Sequence, residues 1–334
     1  MIKIAIIGAG FVGKIHASSF KNIPEARITS IVDISKKEGK SLASEIDADY
    51  YPDIDILLES NNNIDGVIIA TPQFLHFEMV KKIVKAGKPV LCEKPLALTL
   101  DEADKMINLV EENQVIAMVG HVVRFFPEYV AAKEIIESKR IGEPLFCYAE
   151  RLSTPPDWAA WRFDEKSSGG AALDLHIHDL DYLMWLFGRP VSIRSQAVFN
   201  PSHGGIVHIS SMLRFRDGKT GLAQGGWDFP ISYPFTAGFN ILCDDGAIEW
   251  GFKAGKNIEK EKKKSDFLIY LSDGNIKKQD IDSTDSFELE DRYFIDCIRN
   301  NRKASICTFK DGRDILELAL AAIESAKANK AIYL

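Results

Sequence analysis

The chain opens on a short run, Ile2 to Ile7, that is apolar but for Lys3, and through its first third such runs alternate with amphipathic stretches of helical period. A run of this kind predicts a parallel strand buried on both faces, because a strand with one wet face would alternate apolar and polar positions. Strands are expected at Ile2 to Ile7, Arg27 to Val32, Gly66 to Ala70 and Pro89 to Cys92, with helical patterns running to Phe20, over Lys36 to Ile46 and from about Phe74 to Ala86. Alternation of strand and helix predicts a doubly wound parallel sheet, whose ligands bind at the carboxyl ends of the strands.

The pattern changes after Gly120. An extended entry leads to an amphipathic helix, Glu128 to Glu137, closed by Gly142 and Pro144, and a strand over Pro144 to Arg151. Further strands are expected over Val191 to Phe199, Val207 to Phe215, Thr220 to Trp227, Phe239 to Cys243 and Ala247 to Trp250, with turns at Asp217-Gly218 and Asp245-Gly246. Strands joined by tight turns make an antiparallel sheet. The charge run Glu259 to Lys264 reads as a solvated hairpin, and helices over Leu289 to Arg299 and Asp311 to Asn329 with a closing strand at Ile332 complete the chain. The expected fold class is therefore α/β: an N-terminal Rossmann-type doubly wound sheet over residues 1–122 and a C-terminal α+β domain over 123–334, with the last helix able to pack back on the first domain.

Composition narrows the partners. A length of 334 residues allows two cores, and 46% hydrophobic with 27% charged residues is ordinary for a globular chain. The net charge of -7 carries no basic footprint for nucleic acid or an anionic membrane, so a small-molecule partner is expected. The five cysteines are widely spaced with no CxxC, which fits a reducing cytosol, and neither a signal peptide nor an apolar run long enough to span a bilayer is expected.

The first strand feeds straight into Gly8-Ala9-Gly10-Phe11-Val12-Gly13 and then a helix, and the second strand ends in Asp33, 20 residues beyond Gly13. In this strand–turn–helix context the glycines predict a dinucleotide site: Gly8 for the tight turn, Gly10 for close approach of the pyrophosphate, Gly13 for helix–strand packing, and the helix N-terminus for the phosphate charge. Asp33 suits the ribose hydroxyls of NAD and repels a 2'-phosphate, while Lys36 and Lys37 keep NADP open as the alternative. The carboxyl-end rule marks two further loops, Thr71-Pro72-Gln73-Phe74-Leu75-His76 and Glu93-Lys94-Pro95-Leu96, and places Lys94 near the expected nicotinamide.

A third stretch, GGAALDLHIHDLD at 169–181, admits a metal site or a general base. As a strand it would put Asp174, His176 and His178 on one face, where a metal could be shared. The apolar positions that follow, through Phe187, and the stop at Gly188 and Pro190 favour a helix, on which Asp174, His178 and Asp181 share one line and His176 points away. No metal is expected, and His176 reads as a packed, hydrogen-bonded histidine. The loop Ser153 to Arg162, with Trp158, Trp161 and Arg162, could stack on a sugar ring and donate to its hydroxyls, or anchor itself by its tryptophans.

Taken in order, GAGFVG, Asp33, TPxxxH, EKP and GGAALDLHIHD resemble the Gfo/Idh/MocA family, the group of glucose-fructose oxidoreductase and inositol 2-dehydrogenase, over essentially the whole length. The resemblance implies a catalytic lysine at Lys94, a catalytic aspartate and histidine at Asp174 and His178, and a threonine-proline loop beside the nicotinamide at Thr71 and Pro72. Many members have asparagine where this chain has Gln73. Arg124, in an arginine-phenylalanine pair, and Tyr233 resemble positions that face substrate in the family. The cofactor contacts expected are thus Gly8, Gly10, Phe11, Val12, Gly13, Asp33, Thr71, Pro72, Gln73, His76, Glu93 and Lys94. The substrate contacts expected are Lys94, Arg124, Trp161, Arg162, Asp174, His178 and Tyr233. The implied activity is NAD-dependent oxidation of a secondary alcohol on a sugar or cyclitol by a cytoplasmic homodimer or homotetramer. An NAD-dependent glycosidase, a keto-sugar reductase and a non-catalytic NAD-binding sensor are the rivals.

Overall fold

Glycines and apolar β-branched residues set the frame of the N-terminal sheet. The computed structural model describes residues 1–60, 63–155, 165–201, 205–255 and 263–334. They cluster into two units: Met1–Phe125 with Thr284–Asp314, and Phe126–Ser283 with Ile315–Leu334.

Unit one carries the parallel sheet. Its chain order is β1 (Ile2–Ile7), α1 (Phe11–Ser19), β2 (Ala26–Val32), α2 (Lys36–Glu45), β3 (Asp49–Tyr51), α3 (Ile54–Glu59), β4 (Gly66–Ile69), α4 (His76–Lys85), β5 (Val90–Glu93), α5 (Leu100–Asn113) and β6 (Ala117–Gly120). The strands lie in the order β3-β2-β1-β4-β5-β6, all parallel, so the chain reverses direction across the sheet between β1 and β4. That reversal is the switch point at which such sheets bind ligands. The apolar runs behave as expected, with Ile4, Ile6, Val67, Ile68, Ile69, Val90 and Leu91 all fully buried. Helix α5 is not among the elements expected above, although Thr99 caps it by accepting from the N–H of Glu102 at 3.2 Å, a Thr-x-x-Glu start. The return segment adds the helix Ser286–Arg299, capped by Asp285.

Unit two contains α6 (Pro127–Glu137), β7 (Pro144–Leu152), α7 (Glu165–Ser168), α8 (Ile177–Phe187), β8 (Ser192–Phe199), β9 (Ile206–Arg214), β10 (Thr220–Gly226), β11 (Phe235–Cys243), β12 (Gly246–Ala254), β13 (Lys263–Lys264), β14 (Phe267–Leu271), β15 (Ile276–Gln279) and β16 (Ile332–Tyr333). These strands make one ten-stranded sheet, β15-β14-β12-β11-β7-β10-β9-β8-β16 with β13 beside β12. The expected antiparallel pairing holds except between β10 and β7, which run parallel. Of the expected hairpin at Glu259 to Lys264, residues 259–262 lie outside the described residues. On one face of β7 Cys147, Ala149 and Arg151 are buried, and the corresponding face of β10 meets the helices: Leu183 of α8 packs against Gly221, and the backbone of His176 against Gly225.

Gly225 is the tightest of these approaches, since a Cβ there would lie 2.8 Å from the Cα of His176. Neither backbone can yield cheaply. Gly225→Ala should therefore destabilise the fold by about 1–3 kcal/mol, the usual range for overpacking, read as a lower urea midpoint at unchanged m-value.

Candidate functional site

In unit one the turn after β1 is shaped by close approaches. Gly8 has φ of +104°, and a Cβ on it would come within 2.5 Å of the Ala70 carbonyl oxygen at the end of β4. Gly13 is pressed against the same turn, where a Cβ would lie 1.9 Å from the Gly8 oxygen. Gly10 differs, with no atom within 4 Å of its Cβ position. Helix α1 starts there with no side-chain cap and no acidic residue in its first turn, which leaves the positive end of its dipole to a ligand. Phe11 and Val12 form that first turn. Asp33, at the end of β2, is held by two backbone donors, Ala9 N at 2.7 Å to Oδ2 and Ser35 N at 2.6 Å to Oδ1. Lys36 and Lys37 are exposed in the first turn of α2.

Around the ends of β4 and β5 the expected cofactor residues divide. Thr71 and Pro72 are half-buried and Gln73 buried, and the Thr71 hydroxyl is buried without a hydrogen-bond partner among the described residues. His76 is buried with both ring nitrogens turned to carbonyls, Nδ1 to Pro95 O at 2.9 Å and Nε2 to Thr71 O at 3.1 Å. Burial outweighs these contacts and lowers its pKa. The neutral ring carries one N–H, so the histidine expected against the cofactor donates to one of these two carbonyls, in the Thr71 loop or the Pro95 turn, and only lies against the other. Glu93, expected there too, spends its carboxylate on His16 Nε2 at 3.1 Å and on the N–H of Lys94 at 3.1 Å. Lys94 itself is half-buried at the carboxyl end of β5, and its peptide to Pro95 is cis. Arg124, expected in a substrate pocket, is buried and paired with Asp311, Nη1 to Oδ1 at 3.3 Å. The Asp311 carboxyl, also accepting from Thr308, stays ionised: burial opposes this, and Arg124 and Thr308 prevail to lower its pKa.

In unit two the 169–181 stretch is helical, but it begins in π geometry over Ala172–His176 before α8. The wider turn means that the regular 100° step used to align Asp174, His178 and Asp181 does not run through the stretch. Single π turns of this kind are frequent at functional sites. Burial sorts the polar residues: Asp174 and His178 keep 7% and 8% exposure, whereas His176, Asp179 and Asp181 are at 0%. His176 Nε2 lies 2.8 Å from Ser211 Oγ, which contacts Ser195 Oγ at 2.7 Å, and burial pushes the His176 pKa down to about 3. It is a core histidine, as expected. Asp179 meets the buried Arg151 of β7, Oδ1 to Nη2 at 3.2 Å, with Tyr129 OH within 3.5 Å of the same nitrogen. Burial pushes the Asp179 pKa up to about 6 against the pull of Arg151. Tyr233 is half-buried and stacked on Phe229 at 4.3 Å between ring centroids. Trp161 and Arg162 lie outside the described residues.

Residues 2–121 match the model of the Gfo/Idh/MocA oxidoreductase family, NAD-binding Rossmann fold, and residues 129–249 match that family's C-terminal domain. The chain belongs to the Gfo/Idh/MocA family. Among its relatives is 2,7-anhydro-N-acetylneuraminate hydratase of Mediterraneibacter gnavus, 37% identical over 60% of this chain and 53% of that protein. The scyllo-inositol 2-dehydrogenase (NAD+) of Bacillus subtilis is 27% identical over 100% of this chain and 96% of its own length. In fold, the chain is similar to the aldose-aldose oxidoreductase of Caulobacter crescentus, with a TM-score of 0.87, 20% identity, and coverage of 100% of this chain and 99% of the other.

The cofactor of a family member with this fold is NAD. Unit one fits it: open space at Gly10, an uncapped α1, a Thr71 hydroxyl with no partner among the described residues and a fixed carboxylate at Asp33 are features that suit a dinucleotide. Among the described residues, the one grouping of side chains spaced as metal ligands is His16, Glu93 and Glu290, not the histidines of 169–181. No helix among the described residues is long and apolar enough to cross a membrane.

The residues that reading the sequence misses are buried charges: His16, Glu290 and Asp291 in unit one, Arg151 and Asp179 in unit two. Arg151 carried a signal, since the alternation of β7 puts it on the face of Cys147 and Ala149, where a lone cation cannot stay.

Two outcomes follow. Removing the Asp33 carboxylate with Asp33→Ala should raise KM for NAD about 10- to 100-fold, the worth of a hydrogen bond to a charged group, and narrow the NAD-over-NADP ratio in side-by-side assays. His176 is neutral when folded down to about pH 3 but gains a proton near pH 6.5 when unfolded. The unfolded chain therefore binds more protons between those values, and stability falls as pH drops through them, by about 1.4 kcal/mol per pH unit at most. His176→Gln should flatten that part of the stability–pH curve from denaturant titrations; an unchanged slope would contradict the assignment.

Proposed function

We propose that this protein oxidises a secondary alcohol of a sugar or cyclitol with NAD. The observation that carries the reading is the end-to-end alignment with an enzyme named for NAD-dependent oxidation of scyllo-inositol. A further relative named myo-inositol 2-dehydrogenase, from Thermotoga maritima, is 33% identical over 57% of this chain and 56% of its own length.

In this reading His178 takes the proton of the substrate hydroxyl, since histidine is the side chain most often used for that proton transfer. Asp174 orients that ring and stabilises its protonated form. Lys94 stabilises the oxygen as negative charge develops on it. NAD, when bound, supplies the acceptor for the hydride that leaves the same carbon. The products are a ketone, NADH and a proton. Trp161, Arg162 and Tyr233 contact the substrate, and Thr71, Pro72 and Gln73 the cofactor. The protein acts as a homodimer or homotetramer in the cytoplasm, with the apolar, exposed Val198, Met212 and Leu242 on strands β8, β9 and β11 available for self-association.

A second reading rests on the hydratase relatives, at 37% and at 32% identity, the latter from Escherichia coli. Hydration of an anhydro sugar, like cleavage of a glycoside, is redox-neutral, so it leaves no net NADH. One screen separates the readings: inositols, hexoses, their acids and anhydro sugars with NAD and NADP, following both NADH absorbance and substrate consumption. Net NADH with an inositol or hexose supports the dehydrogenase; consumption without NADH supports the second reading; tight NAD binding with no consumption supports a sensor. On the substrate found, Lys94→Ala and His178→Ala should each lower kcat by orders of magnitude, about 10²-fold or more for loss of an acid–base group, with NADH affinity nearly unchanged. His176→Gln should keep most of its turnover. Retained turnover in Lys94→Ala would sink its assignment.

A further inference from the structure

Beneath Lys94 lies a buried ionic cluster drawn from three parts of unit one. His16 of α1 is fully buried, with Nδ1 2.9 Å from Asp291 Oδ1 and Nε2 3.1 Å from Glu93 Oε1. Each ring nitrogen faces a carboxylate oxygen, and both contacts are hydrogen bonds only if both nitrogens carry protons. Burial works against that imidazolium, but the charges and hydrogen bonds of Asp291 and Glu93 prevail, and the pKa of His16 is raised well above the ordinary histidine value. Ser19 Oγ donates to the second Asp291 oxygen, and the edge of His16 meets the Phe287 ring at 5.3 Å between centroids. The fourth member, Glu290, is fully buried and hydrogen-bonds to none of the described residues. Burial and the charges of Glu93 and Asp291 raise its pKa against the pull of His16.

The other oxygen of Glu93 accepts the backbone N–H of Lys94 at 3.1 Å. On the far side the glycine at 120 gives the carboxylate its room, since a Cβ there would stand 3.0 Å from Glu93 Cδ. A continuous line of hydrogen bonds therefore runs from Asp291 through the His16 ring and the Glu93 carboxylate to the peptide of Lys94. We infer that His16 is a positioning residue: it fixes the Glu93 carboxylate against the Lys94 N–H and so ties the lysine's turn to α1, the helix that opens at the glycine loop.

This inference rests on the role proposed for Lys94, and the test keeps the two apart. In the wild type the Lys94 amide proton should be shifted downfield and protected from exchange by its charged acceptor, and the His16 ring should show both nitrogens protonated at pH 8 by NMR. His16→Gln and, independently, Gly120→Ala should each remove that amide protection while NADH still binds, which also reports that the variants are folded. In assays with scyllo-inositol, or the polyol of the panel that the wild type turns over fastest, each should lower kcat about 10²-fold, the cost of a misplacement near 1 Å, with KM for NAD little moved. The double variant Lys94→Ala/His16→Gln should be no slower than Lys94→Ala alone, because His16 acts through the lysine. Unchanged protection of the Lys94 amide in both single variants would overturn the inference whatever the turnover, as would multiplicative losses in the double variant. One tightly held divalent ion per chain, found by elemental analysis and replacing the protons of the cluster at His16, Glu93 and Glu290, would overturn it too. Failure of the lysine's own role would appear separately, as wild-type kcat in Lys94→Ala.

Discussion

A charge taken out of water has to be neutralised where it lies, because the interior offers no solvent to do it. Each unit of this protein obeys that constraint directly beside a residue to which chemistry is assigned. In unit one His16 sits between Glu93 and Asp291, and Glu93 in turn holds the backbone of Lys94. In unit two Arg151 meets Asp179, the neighbour of His178 in α8. Such pairs add little net stability over an apolar filling of the same space. Their geometric demand is strict, however, since losing one partner strands the other. Pairs of this kind hold a turn in the one unit and a helix in the other each to a single arrangement.

The local elements were legible because they are written in short-range pattern. The apolar run Ile2–Ile7 and the glycine spacing are contiguous in sequence, Asp33 follows at the end of the next strand, and their physics is as local: turn, helix start and strand end. Helix rather than strand over 169–187 was equally legible from the length of the apolar period and its glycine stop. The π turn at Ala172–His176 was not, since a one-residue widening leaves the apolar pattern almost unchanged. Pairing direction is similarly silent: β7 and β10 read as ordinary strands, and only the path of the intervening chain makes them parallel. The amphipathic period of Ser286–Arg299 says that one face is buried, not that Asp291 on that face meets a histidine 275 residues earlier.

The two histidines of the DLHIHD stretch show how burial divides what sequence leaves alike. His176 is sealed against Ser211, and its proton affinity is lowered so far that it cannot exchange a proton near neutral pH. His178, two residues on, retains a small accessible surface together with Asp174. A general base needs both a path to the substrate and a pKa near the working pH. Of the pair only His178 keeps any accessible surface, and the backbone of the other is pinned by Gly225. The core histidine thus anchors the segment that presents the accessible one.

The carboxylate expected at the nucleotide site obeys the same logic of held charge. Asp33 is not a loose surface carboxylate: Ala9 N and Ser35 N fix both of its oxygens, and Ala9 belongs to the glycine turn itself. Its negative charge is therefore held against the glycine turn, at a position set by backbone donors. A ribose hydroxyl can donate to such a group without moving it, whereas a 2'-phosphate would have to displace it or bring a cation. Lys36 and Lys37 stand exposed at the start of α2 and are free to serve as that cation only at the cost of ordering two long side chains. The carboxylate is thus fixed by backbone donors on both oxygens, whereas the two lysines stand exposed.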